Sequence, residues 1–211
     1  MGIKERRERE KSETRDKILD AARELFITQG YDGVSMRKVA EKIEYSPTAI
    51  YLHFADKEDL FRQLCNQDFA RLSEVFQSSA MPLDPVERLK QIGRTYVGFG
   101  LQYPNHYKLL FMTPHPPAPL IEEDKEIRSN PEVDAYAFLK LTVEQAIEAG
   151  CFREELRDSE LLSQTLWGAM HGVISLDIAK GNDDWVEWRP MQERSELMLN
   201  ATLRGFLKEG R

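Results

Sequence analysis

The chain contains no run of 18 or more apolar residues, so no segment is long enough to cross a bilayer as a helix. It has only two cysteines, Cys65 and Cys151, far apart and in no metal-ligand or redox spacing. They read as ordinary cytosolic thiols, which makes a cytoplasmic protein the expectation. The sequence has no Gly-rich phosphate loop, no GxSxG, no HExxH and no CxxC. The four histidines (His53, His106, His115, His171) have no ligand spacing. No catalytic residue, metal site or cofactor is therefore expected. The N-terminus, MGIKERREREK, is charged and lacks an apolar core behind it, so it is not read as a signal peptide. Asn200-Ala201-Thr202 is a chance glycosylation sequon on that reading. Strand-like alternation is missing as well, which leaves an all-α fold.

What is present is acidity, unevenly spread. The 211 residues include 36 Asp/Glu and 29 Lys/Arg, a net charge of −7. Residues 1–60 carry 12 basic against 13 acidic groups, and the remainder 17 against 23. Residues 1–17 alone carry 7 basic and 5 acidic groups. The total argues against loose, charge-driven nucleic-acid binding. It allows a small basic face on an otherwise acidic protein.

Helical periods and helix punctuation cover almost the whole chain, and about nine helices are expected. The first runs from about Thr14 to Gln29 with Ile18, Ala22, Leu25 and Phe26 buried, and Gly30 stops it. The charged arm before it reads as mobile or as a fraying helical extension. Another helix runs from Asp56 to about Ser78 with an apolar face of Phe61, Leu64, Cys65, Phe69, Leu72 and Phe76. Asp84-Pro85-Val86-Glu87 is a compact start signal for a helix to about Gln102. A short helix follows Pro104 and ends at Met112. The segment 113–119, TPHPPAP, is a proline-broken loop, and 122–128 is charged. Asn130-Pro131-Glu132 restarts a helix that ends near Gly150. Asp158 caps the next, to about Lys180, and Pro190 opens the last, to about Lys208.

Residues 34–60, VSMRKVAEKIEYSPTAIYLHFADKEDL, are the most informative stretch. Ser35 caps a helix with Met36, Val39, Ala40 and Ile43 at helical spacing. Glu44-Tyr45 makes a turn. Ser46 caps a second helix whose first position is Pro47, where the missing N–H costs nothing. That helix, to about Leu52, is too short to stand alone, so its neighbours must hold it. Its small polar tip suits the DNA major groove.

Here the chain resembles the tetracycline-repressor (TetR) family of bacterial transcription regulators. The resemblance rests on Thr14-Arg15-x-x-Ile18-Leu19-x-Ala21-Ala22-x-x-Leu25-Phe26, on Gly30-Tyr31-x-Gly33-x-Ser35-x-x-x-Val39-Ala40, and on Ser46-x-x-x-Ile50-Tyr51-x-His53-Phe54-x-x-Lys57-x-x-Leu60. One position departs from the family pattern: Glu44 stands where glycine is usual. A side chain there in a left-handed turn costs roughly 1 kcal/mol. A second, shorter resemblance is Trp167-Gly168-Ala169-Met170-His171-Gly172, similar to the Trp-Gly-x-x-His-Gly signature of one C-terminal domain type in that family. It implies a ligand-binding domain whose last two long helices pair with those of a second subunit.

The resemblance implies two domains, residues 1–60 for DNA and residues 61–211 for effector binding and dimerisation. The function implied is ligand-controlled DNA binding at a palindromic operator, chiefly repression. A small all-α enzyme or a helical adaptor that binds no DNA are the alternatives, and a shift of promoter DNA separates the three. Tyr51, His53, Lys57 and Arg37 are candidate phosphate contacts. Pro47 and Thr48 are candidate base-edge contacts. Ser35 and Ser46 are caps that also face phosphate. Phe69, Leu72, Tyr96, Phe99, Tyr103, Phe111, Tyr136, Trp167 and His171 are either core or the lining of an apolar effector pocket, with the tyrosine hydroxyls as polar handles. His171 has the same two readings, core histidine or ligand. Leu162, Leu166, Met170, Val173 and Ile174, with Leu197, Ala201 and Leu203, are the expected homodimer surface. The small residues Gly168, Ala169, Gly172 and Ala201 would let helices approach closely.

Overall fold

A computed structural model describes residues 2–78, 82–115 and 129–210. Among the described residues the secondary structure is nine helices and one isolated β-bridge. The helices are α1 (Ile3–Gly33), α2 (Met36–Lys42), α3 (Pro47–Tyr51), α4 (Lys57–Ser78), α5 (Pro85–Gln102), α6 (Pro104–Met112), α7 (Ala135–Glu148), α8 (Ser159–Lys180) and α9 (Met191–Phe206). Residues 116–119 of the expected proline loop 113–119 and the charged stretch 122–128 lie outside the described residues.

Most starts follow the cap residues. The side chains of Ser35, Ser46, Asp84 and Asp158 each accept a backbone N–H from the first turn of their helices. Asp56 accepts from Asp59 N at 2.8 Å, and Asp59 accepts from Ala55 N at 3.0 Å, so the entry to α4 is doubly tied. Burial alone would raise the Asp59 carboxyl, but hydrogen bonds from Gln63, Ala55 and Arg62 hold it below its ordinary value.

Two boundaries differ from the sequence reading. The first helix begins at Ile3, not Thr14, so the charged arm is itself helical. Ion pairs one turn apart support it, Arg6–Glu10 at 2.7 Å and Arg9–Glu13 at 3.5 Å. Gly30 does break α1, with φ 72° and ψ 170°. The helix expected from Asn130 instead begins at Ala135, capped by Asp134. Asn130 builds a turn before it: its side chain accepts Glu132 N, and its carbonyl accepts the N–H groups of Val133 and Asp134.

The chain forms two compact units, Met1–Asp68 with Asn105–Pro119, and Phe69–Pro104 with Leu120–Arg211. The boundary expected at 60/61 and the end of the first unit's leading stretch at Asp68 both lie within the continuous helix α4. The first unit packs Ile18, Leu19 and Phe26 of α1 against Val39 and Ala40 of α2, Ile50 of α3, Leu60 and Leu64 of α4, and Leu109 of α6. The rings of Phe26 and Tyr31 meet that of Phe61 edge-on at 4.9 and 5.2 Å. Each large side chain buried here contributes about 1.5–3 kcal/mol.

A buried charged pair, Asp68 and Arg23, sits inside this unit. Asp68 is fully buried in α4. It accepts from Arg23 Nη2 at 2.7 Å and Nε at 3.0 Å, and its Oδ1 lies 2.8 Å from His106 Nδ1. Burial pushes its carboxyl up, and the hydrogen bonds and charges of His106 and Arg23 pull it below its ordinary range.

In the second unit α8 and α9 pair along their lengths, and α5 packs against α7, α8 and α9. Gly93 of α5 permits the close approach to α9: a Cβ there would lie 2.9 Å from Leu199 Cδ1. The bridge between Phe152 and Leu207 ties the chain after α9 to the α7–α8 connection, with Arg153 N donating to Phe206 O and Lys208 N to Cys151 O.

Removing the Asp68 carboxylate strands a buried guanidinium. Asp68→Ala should cost about 3–5 kcal/mol, read as a fall in denaturation midpoint; a cost below about 1 kcal/mol would show that the network is not structural. The carboxyl's folded pKa is depressed, so its contribution is complete above the unfolded value, about 3.9, and is lost as pH falls through the folded value. The wild type should therefore lose more stability than Asp68→Ala below about pH 4.

Candidate nucleic-acid interface

The turn joining α2 to α3 is a Schellman motif. Tyr45 N donates to Ala40 O at 2.9 Å and Glu44 N to Glu41 O at 3.3 Å. Glu44 takes the left-handed position with φ 60°, the one positive φ at a non-glycine among the described residues. Helix α3 is five residues long and buries Ile50 completely. Its N-terminus is held by Ser46, whose hydroxyl accepts Ala49 N at 3.2 Å. The short helix is thus carried by its neighbours.

Anchoring Ile50 turns the rest of α3 outward. Pro47, Thr48 and Tyr51 are exposed, Tyr51 to 54%. Ser35 and Arg37 are exposed at the start of α2. The Arg37 guanidinium pairs with Glu41 at 2.8 Å across the helix surface. His53 follows α3 and is half-buried, and its Nδ1 has no hydrogen-bond partner among the described residues. Burial, then the charges of Lys11 and Arg15, hold its imidazole below the ordinary range. Lys57 turns back on its scaffold: Nζ donates to Tyr31 O at 3.2 Å and lies 4.2 Å from the centre of the Tyr31 ring. Of the eight candidate positions, Ser46, Pro47, Thr48 and Tyr51 share one short exposed segment.

The aromatic candidates of the second unit fall into two groups. Tyr96 accepts from Trp167 Nε1 at 2.9 Å, and the Tyr136 ring lies 5.7 Å from that of Trp167. Phe99 and Tyr103 lie 5.5 Å apart, with the Arg71 guanidinium 4.9 Å from the Tyr103 ring. Two hydroxyls expected as handles have partners in the chain: Tyr96 takes the Trp167 N–H, and Tyr136 donates to Glu160 at 2.5 Å. Burial and then the Glu160 hydrogen bond push Tyr136 up to about 12. Leu72 and Phe99 are buried, Phe69 and His171 half-buried, and burial lowers the His171 imidazole. Phe111 belongs to the first unit, where it packs on Tyr107 at 5.0 Å.

The dimer surface needs correction. Leu162, Leu166, Met170, Val173, Ile174 and Leu203 are buried within their own chain, so they are core and not free surface. Leu197, 73% exposed, and Ala201 are on the surface. The other exposed apolar groups of these helices are Leu161, Trp167 and Leu176 on α8 and Met198 on α9.

Residues 18–64 match the description "Bacterial regulatory proteins, tetR family", and residues 89–202, more than half of the chain, match "Tetracyclin repressor-like, C-terminal domain". The chain belongs to the tetR family. The HTH-type transcriptional repressor AcnR of Corynebacterium efficiens is 31% identical over 122 residues, 58% of this chain and 55% of that protein. The AcnR of Corynebacterium diphtheriae is 40% identical over 72 residues, 34% of this chain and 38% of that one. These matches thus span less than two thirds of either relative's length. In three dimensions the chain is similar to the fatty acid degradation regulator FadR of Bacillus halodurans, with TM-score 0.71 at 20% identity over 90% of this chain and 95% of that one. The likeness is one of fold.

Sequence reasoning missed the Arg23–Asp68–His106 cluster. One signal was available: Asp68 interrupts the apolar stripe of α4 between Leu64 and Leu72, where the helical period calls for a core residue. The Glu44 turn has a direct test. Left-handed geometry costs a side chain about 1–2 kcal/mol, while glycine adds about 0.5–1 kcal/mol of chain entropy to the unfolded state. Glu44→Gly should therefore raise stability by up to about 1.5 kcal/mol. A lower melting temperature would show that the Glu44 side chain makes a compensating interaction.

Proposed function

We propose that this tetR-family protein is a cytoplasmic, ligand-responsive DNA-binding repressor. It binds a palindromic operator as a homodimer and leaves it when a small hydrophobic effector occupies the second unit. Its DNA-binding part is residues 1–60 and its effector-binding and dimerising part is residues 61–211, with a C-terminal region of the Trp-Gly-x-x-His-Gly type. The observation that carries this reading is the exposed Ser46-Pro47-Thr48-Tyr51 segment on a helix immobilised by buried Ile50. Two such segments spaced near one DNA turn, about 34–36 Å, match two half-sites of a palindrome. The relatives described as repressors support the same reading.

In this reading Thr48 and Pro47 meet base edges, the thymine methyl suiting their apolar atoms. Tyr51, His53 and the two cap serines donate to phosphate, and Lys57 does so with the ammonium hydrogens its Tyr31 contact leaves over. The exposed Arg37–Glu41 pair contributes little to stability, so its guanidinium is available to a phosphate. The effector lodges among the Tyr96, Phe99, Tyr103, Tyr136 and Trp167 side chains, with Phe69, Leu72 and His171 as further candidates. Occupancy changes the tilt of α4, which carries residues of both units, and so changes the spacing of the α3 helices. Effector and DNA must then weaken each other by the same factor.

The dimer uses the exposed sides of α8 and α9. Leu161, Gly168, Gly172 and Leu176 follow one another at helical spacing. A Cβ at Gly168 or Gly172 meets nothing within 4 Å of the chain, although glycine costs a helix about 1 kcal/mol relative to alanine. A second copy packed closely there explains that expense, with Leu197, Met198 and Ala201 beside it.

Tyr51→Phe should weaken binding by a similar factor on every sequence, because phosphate contacts carry no base information. Thr48→Ala should change preference at one or two operator positions, by about 1–3 kcal/mol. The check is binding measured across an operator library; a Tyr51→Phe protein with altered preference and intact general affinity would reverse the two roles. Leu161→Glu with Leu197→Glu should shift sedimentation from dimer to monomer, and an unchanged dimer would move the interface elsewhere.

A further inference from the structure

Helix α1 extends well beyond the core it serves. Its buried stripe begins at Ile18 and continues through Ala22 and Leu25, yet the helix starts at Ile3. The described side chains of residues 4–13 are exposed, so no packing accounts for the extension. Its charges are sorted by face. Arg6 and Arg9 are paired to Glu10 and Glu13. Lys4, Arg7 and Lys11 fall at spacings of three and four, on the prolongation of the stripe that later buries Ile18 and Ala22. Among the described residues none of these three has an ion pair or hydrogen bond. Glu8 stands at the edge of this face, also unpaired. Next on the same stripe is Arg15, which donates to Gln63 at 2.7 Å and lies 5.5 Å from the centre of the Phe54 ring. The basic face therefore reaches the segment that directly follows α3. The depressed imidazole of His53 agrees, since Lys11 and Arg15 are the charges that act on it after burial.

We propose that the extension is a second DNA-contacting element, in which Lys4, Arg7 and Lys11 lie along the phosphate backbone beside the groove entered by α3. This rests on the DNA-binding reading above and adds a footprint outside the helix-turn-helix. From Lys4 to Lys11 the helix rises about 10 Å, a length that can follow one strand past consecutive phosphates. Such contacts fix position and add affinity without reading bases.

The test compares the full-length wild type, the Lys4→Gln/Arg7→Gln/Lys11→Gln variant and an Arg6→Gln/Arg9→Gln control. All three are titrated by fluorescence anisotropy against a duplex that the wild type selects from a random pool. Helicity is checked by circular dichroism. Three phosphate contacts correspond to a slope of about 2.7 in log affinity against log salt. Raising salt from about 50 to about 200 mM should then cost the wild type roughly forty-fold more affinity than the triple variant. The control should keep the wild-type slope, and the selected sequence should stay the same for all three. Equal slopes for wild type and triple variant overturn the proposal and leave the α3 reading intact, as does a control that loses as much slope as the triple variant. A wild type that selects no duplex overturns both, and Tyr51→Phe, which removes no charge, separately reports on α3.

Discussion

A single buried carboxylate determines how the first unit is assembled. Asp68 lies inside α4, and an isolated charge there would be strongly disfavoured by lost solvation. It is tolerated because Arg23 of α1 meets both oxygens and His106 of α6 meets one of them. Arg23 is itself buried and also reaches Asp20 at 2.5 Å. The arrangement joins α1, α4 and α6 at one point. Apolar contacts tolerate small slides, whereas a bidentate guanidinium–carboxylate pair has a narrow geometry. Helix α6 is therefore fixed to the first unit although it follows α5 in the chain. The backbone passes from one unit to the other inside α4, again at the start of α6 and a third time after Pro119. Two of these three connections end at helices that share the Asp68 carboxylate.

Local chemistry was legible in the sequence, and long-range pairing was not. Ser35, Ser46, Asp84 and Asp158 were recognisable as caps because a cap needs only its own next few residues. The strain at Glu44 was legible for the same reason: a two-residue turn between capped helices needs a left-handed residue. Arg23, Asp68 and His106 are separated by 45 and 38 residues, and no local period reports such a pairing. The N-terminal extension was indistinct because it buries nothing, so its stripe is charged rather than apolar.

The expected dimer surface fell on buried residues for a different physical reason. Helix α8 carries apolar groups on both sides, with Leu162, Leu166 and Met170 buried and Leu161 and Leu176 exposed. A helix that is apolar all round has no directional period, so spacing identifies an interface helix without showing which side faces its own core. The glycines discriminate better. Gly93 is required by Leu199 of the same chain, while Gly168 and Gly172 face open space.

On the proposed DNA-binding reading, the short helix α3 and the acidic composition impose one further constraint together. Five residues with three outward side chains offer few base contacts, so most affinity must come from phosphates. A chain with net charge −7 is repelled by DNA wherever its acidic surface approaches, which suppresses non-specific binding. The cations must therefore be concentrated where α3 docks. Several near it are already engaged: Lys57 with Tyr31, Arg37 with Glu41, Lys42 with Glu24 and Arg15 with Gln63. Each of these must divide its donors between an internal partner and a phosphate, or exchange one for the other, at some cost, or remain a scaffold contact. Lys4, Arg7 and Lys11 have no such partner to give up, so each phosphate they meet adds affinity in full.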